Sequence, residues 1–505
     1  MPLFTTAQQA ISHVKDGDHV WSNAFLALAN PAQLTIALGE IYHSTGHPNN
    51  LTFCTTAGYS NWEKNSPMEE FVRAGAVKSV VLGHYSSTPD TAKMVMDGQI
   101  EGYNLPTGVM TKMVRAAAAG ETYFITDIGR NLFVDPAYAE YRLNSRSTEE
   151  YVTDIVIDGK RRLKYRIPDM DVALIKGSSA SEDGDISFEQ EATVSDALSL
   201  AQAVKNRGGI VIVQVQRILS ETQRPWNVIL PAPLVDYIAV CPEQTQILGM
   251  DEYQPAMAGD VSYTPEQVRE LVLRSEQDGA KPDLARTIIA RRAMRQLNKG
   301  DIVNIGVGIP EHVAIEAAKS GLLSDISLTV ESGAVNGVPV SGMAFGAAQG
   351  AHSIYNMAQQ FDFYDGGGLD ICFIGALEID ASGNVNAHHS PNKLAGIGGF
   401  ANITQSTGKV VFCATFTAGG LELSQQDGML NVSNEGRYAK FVNKVKSISF
   451  SSKNALETGQ QVLYVTERCV FRLGSEGLEL IEVYPGIDVK RDVLDQLPFE
   501  VTVIL

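Results

Sequence analysis

Basic residues are in short supply: 40 Lys and Arg stand against 58 Asp and Glu in a chain of 505 residues, a formal net charge of −18. Nucleic-acid phosphates are gripped by clustered cations, so this balance excludes a nucleic-acid partner while leaving room for a local anion site built from backbone N–H groups. Cysteine is sparse as well. The five, Cys54, Cys241, Cys372, Cys413 and Cys469, are far apart, and no pair has C-x-x-C spacing. That excludes a zinc ribbon or redox dithiol and reads as reduced core residues of a reducing compartment. No apolar run approaches the roughly 20 residues that cross a bilayer, and the opening Met-Pro-Leu-Phe-Thr-Thr-Ala-Gln-Gln has no basic or apolar stretch of an export signal. The expectation is a cytoplasmic protein without a membrane partner.

What is present is the pattern of an α/β fold. Short Val- and Ile-rich runs (Ser79 to Leu82, Ala173 to Ile175, Gly209 to Val215, Lys409 to Thr415) alternate with segments of helical period (Ala32 to Tyr42, Ser195 to Asn206, Asp283 to Arg295). Continuous apolar strands separated by helices predict largely parallel, buried sheets. The rhythm breaks between about Gln244 and Lys281, a polar stretch with one helix-like piece near Glu266 to Ser275. It divides the chain nearly in half.

The halves resemble each other. Asp171-Val-Ala-Leu-Ile leads to Gly184 and then Gly209-Ile-Val-Ile-Val, and Asp370-Ile-Cys-Phe-Ile leads to Gly383 and then Gly408-Lys-Val-Val-Phe, with the Asp-to-Gly interval 13 and the Gly-to-Gly interval 25 in both. Each half also opens with a Gly-Asp turn (Gly17-Asp18; Gly300-Asp301), a strand and a loop closed by Pro31 or Pro310. The reading is two related open α/β domains, residues 1–245 and 285–505, joined by a linker with local helix over 246–284, with a ligand site in the cleft between them.

Three segments carry candidate chemistry. Asp301-Ile-Val-Asn-Ile-Gly-Val-Gly-Ile-Pro reads as strand, Gly-x-Gly turn and helix, a place where backbone can approach a ligand; it lacks the third glycine of a dinucleotide fingerprint, and no Walker A pattern exists. Ile326-Ser-Leu-Thr-Val-Glu331-Ser-Gly-Ala is a strand ending in a carboxylate, followed by small residues that leave space beside it, with no cation nearby in sequence. Such a carboxylate suits a nucleophile that attacks a carbonyl. Clustered glycines at Asp365-Gly-Gly-Gly and Gly396-Ile-Gly-Gly-Phe can present N–H groups to an oxyanion. His388-His389 has no carboxylate partner at ligand spacing, so no metal is expected and the pair reads as a surface or pocket feature.

In combination, these segments resemble the class I coenzyme A transferases, in particular the single-chain bacterial acetate and propionate CoA-transferases. The matching residues are Val303-Asn-Ile-Gly-Val-Gly-Ile-Pro, the Glu-x-Gly at Glu331, Phe361-Asp-Phe-Tyr-Asp-Gly-Gly-Gly-Leu-Asp-Ile, Gly396-Ile-Gly-Gly-Phe, Tyr464-Val-Thr-Glu-Arg and Pro485-Gly-Ile-Asp, with Tyr103-Asn-Leu-Pro and Asp171-Val-Ala-Leu-Ile in the first half. The resemblance implies the CoA-transferase fold and Glu331 as nucleophile. It implies Gly399 as the backbone oxyanion donor, and CoA contacts at Asn304, Gly306, Gly308 and Gly398. It implies acyl-CoA and small carboxylic acids as substrates, coenzyme A as co-substrate with no tightly bound cofactor, ping-pong turnover and a homodimer or homotetramer. Two departures stand out. The family's second oxyanion donor is a glutamine after Tyr103-Asn-Leu-Pro, where this chain has Thr107, and the N-terminal glycine-rich loop is replaced by Ser22-Asn-Ala-Phe-Leu-Ala-Leu-Ala-Asn-Pro31. They keep an acyl-CoA hydrolase using the same glutamate as the alternative, with a non-catalytic ligand sensor on the same scaffold as a further one.

Overall fold

The computed structural model describes the whole chain except residues 221–222, 279–282 and 391 and the side chains of residues 277 and 278. Two large sheets dominate it, one in each half. In the first, β1 (Leu3–Thr5), β2 (His19–Ser22), β3 (Leu51–Thr55), β4 (Val77–Leu82), β5 (Glu101–Asn104), β6 (Val172–Lys176), β7 (Ile210–Val215) and β8 (Tyr237–Val240) lie in the order β1-β8-β7-β6-β2-β3-β4-β5. Every neighbouring pair is parallel. The apolar runs that read as strands are therefore buried strands, as a parallel sheet covered on both faces requires.

The second half holds β9 (Ile302–Ile305), β10 (Ser327–Thr329), β11 (Ala334–Val335), β12 (Ser353–Ile354), β13 (Ile371–Gly375), β14 (Lys409–Cys413), β15 (Gln461–Val465), β16 (Cys469–Gly474), β17 (Gly477–Val483) and β18 (Thr502–Val503), in the order β12-β11-β10-β9-β13-β14-β15-β16-β17-β18. Its centre, β10-β9-β13-β14-β15, is parallel. Antiparallel pairing takes over on either side, where β11 folds back on β10 and β16 on β15, and the edge strand β18 pairs parallel with β17.

The internal repeat is visible in the hydrogen bonding. Asp171 accepts the His19 N–H at 2.8 Å, and Asp370 accepts the Ile302 N–H at 2.8 Å. The strand that follows each aspartate pairs with the strand that follows each later glycine, Val172 against Ile210 and Ile371 against Lys409. Equal spacing thus sets equal register, since a slip of one residue would turn each strand's core side chains outward.

Helices α1 (Ala32–Thr45), α2 (Thr107–Ala118), α3 (Ala197–Asn206), α4 (Pro265–Asp278), α5 (Leu284–Met294), α6 (Glu311–Ser320), α7 (Met357–Asp365) and α8 (Phe400–Ser406) are those that matter for the site. Asp283 caps α5 by accepting the Arg286 N–H at 2.8 Å, which is why that helix begins there. In the polar stretch expected to join the halves, α4 buries Val268 and Val272 in the second half's core, and Arg269 donates to the Ala318 carbonyl at 2.8 Å. The end of that stretch, at 279–282, lies outside the described residues. One apolar core runs through both halves, with Met110 and Met113 of α2 clustering with Phe361 and Tyr364 of α7. Lys112 and Arg115 of α2 pair with Asp365 and Asp362 across the same seam.

One reading needs correction, and one departure finds its place. His388 is neither a surface nor a cavity residue: it is 3% exposed, packs against Phe133 with ring centroids 4.2 Å apart and planes tilted by 42°, and pairs with Ser449 Oγ at 2.7 Å. Burial, with the charge of adjacent His389 adding to it, pushes its pKa down to about 3, so it is a neutral core residue. The altered segment Ser22 to Pro31 is buried throughout and does not line the cavity between the halves; it backs the wall instead, Phe25 and Leu28 packing where a side chain on Gly346 would stand.

Candidate active site

A cavity of about 900 Å³ opens between the two sheets. The second half supplies most of its wall from the C-terminal ends of β9, β10 and β13, the position where parallel α/β sheets bind ligands. The first half closes it with Asn61 and Trp62 after β3 and His84 and Ser86 after β4.

Glu331 follows β10 by two residues and lines this cavity. A tight turn holds it there: Val330 N–H donates to Ala334 O at 2.8 Å and Gly333 N–H to Val330 O at 3.0 Å. Gly333 has φ +119°, and a Cβ on it would stand 2.0 Å from the Tyr355 carbonyl oxygen, so the Glu-x-Gly spacing is a steric requirement. The first half clamps the same turn, Thr193 donating its hydroxyl to Ser332 O at 2.8 Å. The carboxylate reaches only the cavity and is otherwise surrounded by protein. Desolvation raises its pKa to about 7, and the Gly399 N–H, which donates to it, offsets part of that shift. A carboxyl so placed is roughly half ionised at neutral pH, more basic than a solvated one, and has a hydrogen-bond donor already at its oxygen.

Gly399 touches Glu331 so closely that a Cβ built on it would lie 1.8 Å from Oε2. Its loop is tied to the first half by backbone: Gly398 N–H donates to Gly83 O at 2.8 Å, and Thr107 N–H to Gly398 O at 2.9 Å. Asn104, inside the Tyr-Asn-Leu-Pro motif, accepts the Ile397 N–H at 2.9 Å and donates to the carbonyls of Leu82 and Gly83 at 2.8 and 2.9 Å. Asn104 is a positioning residue that the motif contained and sequence reasoning passed over.

The other expected residues divide. Asn304, Gly306 and Gly398 line the cavity; Asn304 Nδ2 donates to Thr329 O at 3.2 Å, bracing the strand that carries Glu331. Gly308 does not line it: φ +84° suits the turn, and its N–H serves the Glu311 carboxylate. Thr107 also departs from expectation. It is 1% exposed, and its hydroxyl has no partner among the described residues and faces the Gly83 Cα rather than the cavity. A threonine is too short to reach past the Gly83–Gly398 contact, so only its backbone serves the site. Sequence reasoning missed the first-half wall of Asn61, Trp62, His84 and Ser86, which no glycine or acidic motif announces. Among the described residues no group of three His, Cys, Asp or Glu side chains is placed to hold a metal, no helix is long and apolar enough to cross a membrane, and all five cysteines are buried and unpaired.

Known proteins resemble this chain over nearly its whole length. A family model described as coenzyme A transferase matches residues 4–240 and 286–494. The chain is 37% identical over 496 residues to acetate CoA-transferase YdiF of Escherichia coli K12, covering 98% of this chain and 91% of that protein. It is 37% identical over 508 residues to caffeate CoA-transferase of Acetobacterium woodii, covering 99% and 94%. Among solved structures, the acyl-CoA transferase YdiF apoenzyme from E. coli O157:H7 superposes with a TM-score of 0.90 at 35% identity, covering 100% of this chain and 94% of that one. The thioester complex of the same enzyme with CoA gives 0.89 at 34% identity, over 100% and 94%.

Proposed function

This chain belongs to the coenzyme A transferase family, and on that premise we propose that it transfers CoA from a short-chain acyl thioester to a free carboxylic acid through a covalent intermediate on Glu331. The observation that carries the reading is the Glu331 carboxylate itself, desolvated at the end of β10 and in contact with the Gly399 N–H inside the cavity between the halves.

The carboxylate attacks the thioester carbonyl, and the C–S bond breaks to leave an acyl-glutamyl anhydride and CoA thiolate. The thiolate then attacks the glutamyl carbonyl, giving a glutamyl-CoA thioester and releasing the first acid. An acceptor carboxylate reverses both steps and departs as a new acyl-CoA. Dividing an exchange between a stable carboxylate and a thioester into steps of similar energy is what a covalent nucleophile contributes. Gly399 holds a donor near the oxygen that gains charge, and CoA bound along the second half's wall can supply positioning energy remote from the reacting carbon. Relatives named for acetate and for caffeate bracket the acids to be tried first.

Intact mass spectrometry after mixing the protein with acetyl-CoA tests the reading. The expected result is a hydroxylamine-sensitive CoA adduct, absent in Glu331→Ala, with turnover falling roughly 10⁴-fold or more as for other nucleophile deletions. An adduct that persists in Glu331→Ala, or its absence in the unaltered protein, overturns the assignment. Steady CoA release without an acceptor acid identifies a hydrolase instead.

A further inference from the structure

The cavity has two ends, and strand order separates them. Glu331 leaves β10, which lies between β9 and β11 in the sheet. On the β9 side the wall continues over Gly306 and Val307 to the end of β13, where Val307 and Leu377 are exposed and the cavity meets solvent. Lys440 belongs to this end, its ammonium donating to Ala376 O at 2.7 Å. On the β11 side, the chain between β11 and β12 forms an antiparallel hairpin, Val338 against Gln349 and Pro339 against Ala348. Its tip puts Val340, Met343 and Phe345 into the cavity wall and rests on the first half. A Cβ on Gly346 would collide with the Phe25 ring, and the Met343 methyl is 3.4 Å from where a Cβ on Gly249 would stand. Ser332, next to the nucleophile, donates its hydroxyl to Gly346 O, which ties the tip to the Glu331 turn. The nucleotide of CoA needs an exit to solvent, which the β9 and β13 end provides. The acyl group, on the other side of the thioester carbonyl, then points to the hairpin end.

Asn61 comes from the first half to this same end. It is buried, lines the cavity, and its Nδ2 is 3.7 Å from the Gly249 position that Met343 also approaches. The backbone beside it is fixed: Trp62 takes φ +66°, a left-handed conformation that a bulky residue adopts only under constraint, and its N–H donates to Ser87 O at 3.0 Å. Asn61 Oδ1 accepts the Ser60 hydroxyl at 3.5 Å, the outer limit of a hydrogen bond, and among the described residues Nδ2 has no acceptor. Trp62, Val340, Met343 and Phe345 bring no carboxyl, amide or hydroxyl to the wall, and Ser341 and Lys393 are exposed at the cavity's rim. A buried amide in apolar surroundings is costly until a guest completes its hydrogen bonds. A hydroxyl does so at both ends, its oxygen accepting from Nδ2 and its hydrogen going to Oδ1.

Resting on the Glu331 reading above, we infer that Asn61 is a specificity-determining residue, selecting acids whose carbon chain carries a hydroxyl group. The hydroxyl completes the amide's hydrogen bonds while the chain covers the Trp62 and Met343 side chains. An unsubstituted chain of the same length leaves the amide dry and unpaired, and a site built for a hydroxyl discriminates against the analogue that lacks it. An oxo group accepts but cannot donate, so it satisfies one end of the amide and ranks between the two.

Acceptor specificity with acetyl-CoA as donor tests this, kcat/KM being measured for butyrate and for 2-, 3- and 4-hydroxybutyrate from the new acyl-CoA formed. At least one hydroxy acid should exceed butyrate by about tenfold or more, the scale of a buried amide left without its partner. In Asn61→Leu, which puts an apolar group of similar volume in place of the amide, that ratio should fall to near one. A merely structural role would slow all the acids alike and leave the ratio unchanged. Melting curves check the variant; should Asn61→Leu not fold, Asn61→Ala is read in its place. The inference is overturned if no hydroxy acid exceeds butyrate, or if the preference survives in the folded Asn61 variant. If no CoA adduct forms on mixing the unaltered protein with acetyl-CoA, the Glu331 reading has failed; if the adduct forms and butyrate is taken as readily as every hydroxy acid, only the Asn61 inference has failed.

Discussion

The two halves build the same strand terminus and use it in opposite ways. His19 of β2 pairs with Thr52 of β3, and Ile302 of β9 with Ser327 of β10. Four residues on from Thr52 and Ser327 stand Thr56 in Thr-Ala-Gly58 and Glu331 in Glu-Ser-Gly333. Both side chains sit at the carboxyl end of a parallel strand. Glu331 opens onto the cavity, whereas Thr56 is buried with its hydroxyl toward the Asp196 carboxyl. The neighbouring strand repeats the contrast. Gly375, fifth after Asp370, has no atom within 4 Å of where its Cβ would stand and lines the cavity. Lys176, fifth after Asp171, is buried and gives its ammonium to Glu191 Oε2 and to the Gln246 carbonyl, both at 2.8 Å. One terminus is kept open for reagents, and its duplicate is filled with an internally paired charge. A repeat supplies two equivalent ligand positions at low cost in sequence, and side-chain volume at a few places decides which of them remains a site.

The contrast can be broken by disturbing the filled side. Lys176→Met leaves Glu191 buried without its cation and should cost about 3–5 kcal/mol of stability, read by urea unfolding, with the added Glu191→Leu change restoring part of it. Turnover per folded molecule should stay near that of the unaltered protein; loss of adduct formation in a folded Lys176→Met variant would show that the first half's terminus shares in the chemistry.

On the open side, Gly399→Ala drives a methyl group into the Glu331 carboxylate. The displaced carboxylate loses the Gly399 N–H, so adduct formation should fall by about 10²- to 10³-fold, the range for losing an oxyanion donor, in a variant whose folding is checked by its melting curve. A rate within a few-fold of the parent would sever Gly399 from the reacting atoms.

The smallest effect is in pH. Desolvation holds the folded Glu331 pKa at about 7 against an ordinary 4.5, and only the carboxylate is nucleophilic. Adduct formation should therefore fall tenfold per unit as pH drops below about 7 and level off above it. The stability linkage has the opposite sense: folding favours the protonated acid, so this contribution is full below about pH 4.5 and is lost as pH rises through 7. Glu331→Gln should remove that share of the pH dependence, whereas a change confined to the first half should leave it intact.

Much of this was legible in the chain. The Val- and Ile-rich runs became strands within two residues of their expected ends, because continuous apolarity is what a sheet covered on both faces demands. The Asp-Gly intervals announced the repeat because the strand after each aspartate pairs in equal register with the strand after each later glycine. Glu331 and the Gly396 to Gly399 loop were singled out by family resemblance, and steric contact at Gly333 and Gly399 accounts for the glycines beside the carboxylate. Thr107 and His388 were misplaced for one shared reason: the direction in which a side chain leaves the backbone depends on what packs behind it, whereas Gly308, with no side chain, is kept off the cavity wall by its turn.

By itself, then, the sequence determined the fold class and the repeated strand pattern, which follow from periodicity and glycine placement, and its family resemblance singled out Glu331 as the candidate nucleophile. Only the tertiary structure decided which of two equivalent strand ends is open, and which first-half residues, His84 and Ser86 among them, line the cavity. Those outcomes depend on contacts between residues hundreds of positions apart, where volume and desolvation act and local pattern has no reach.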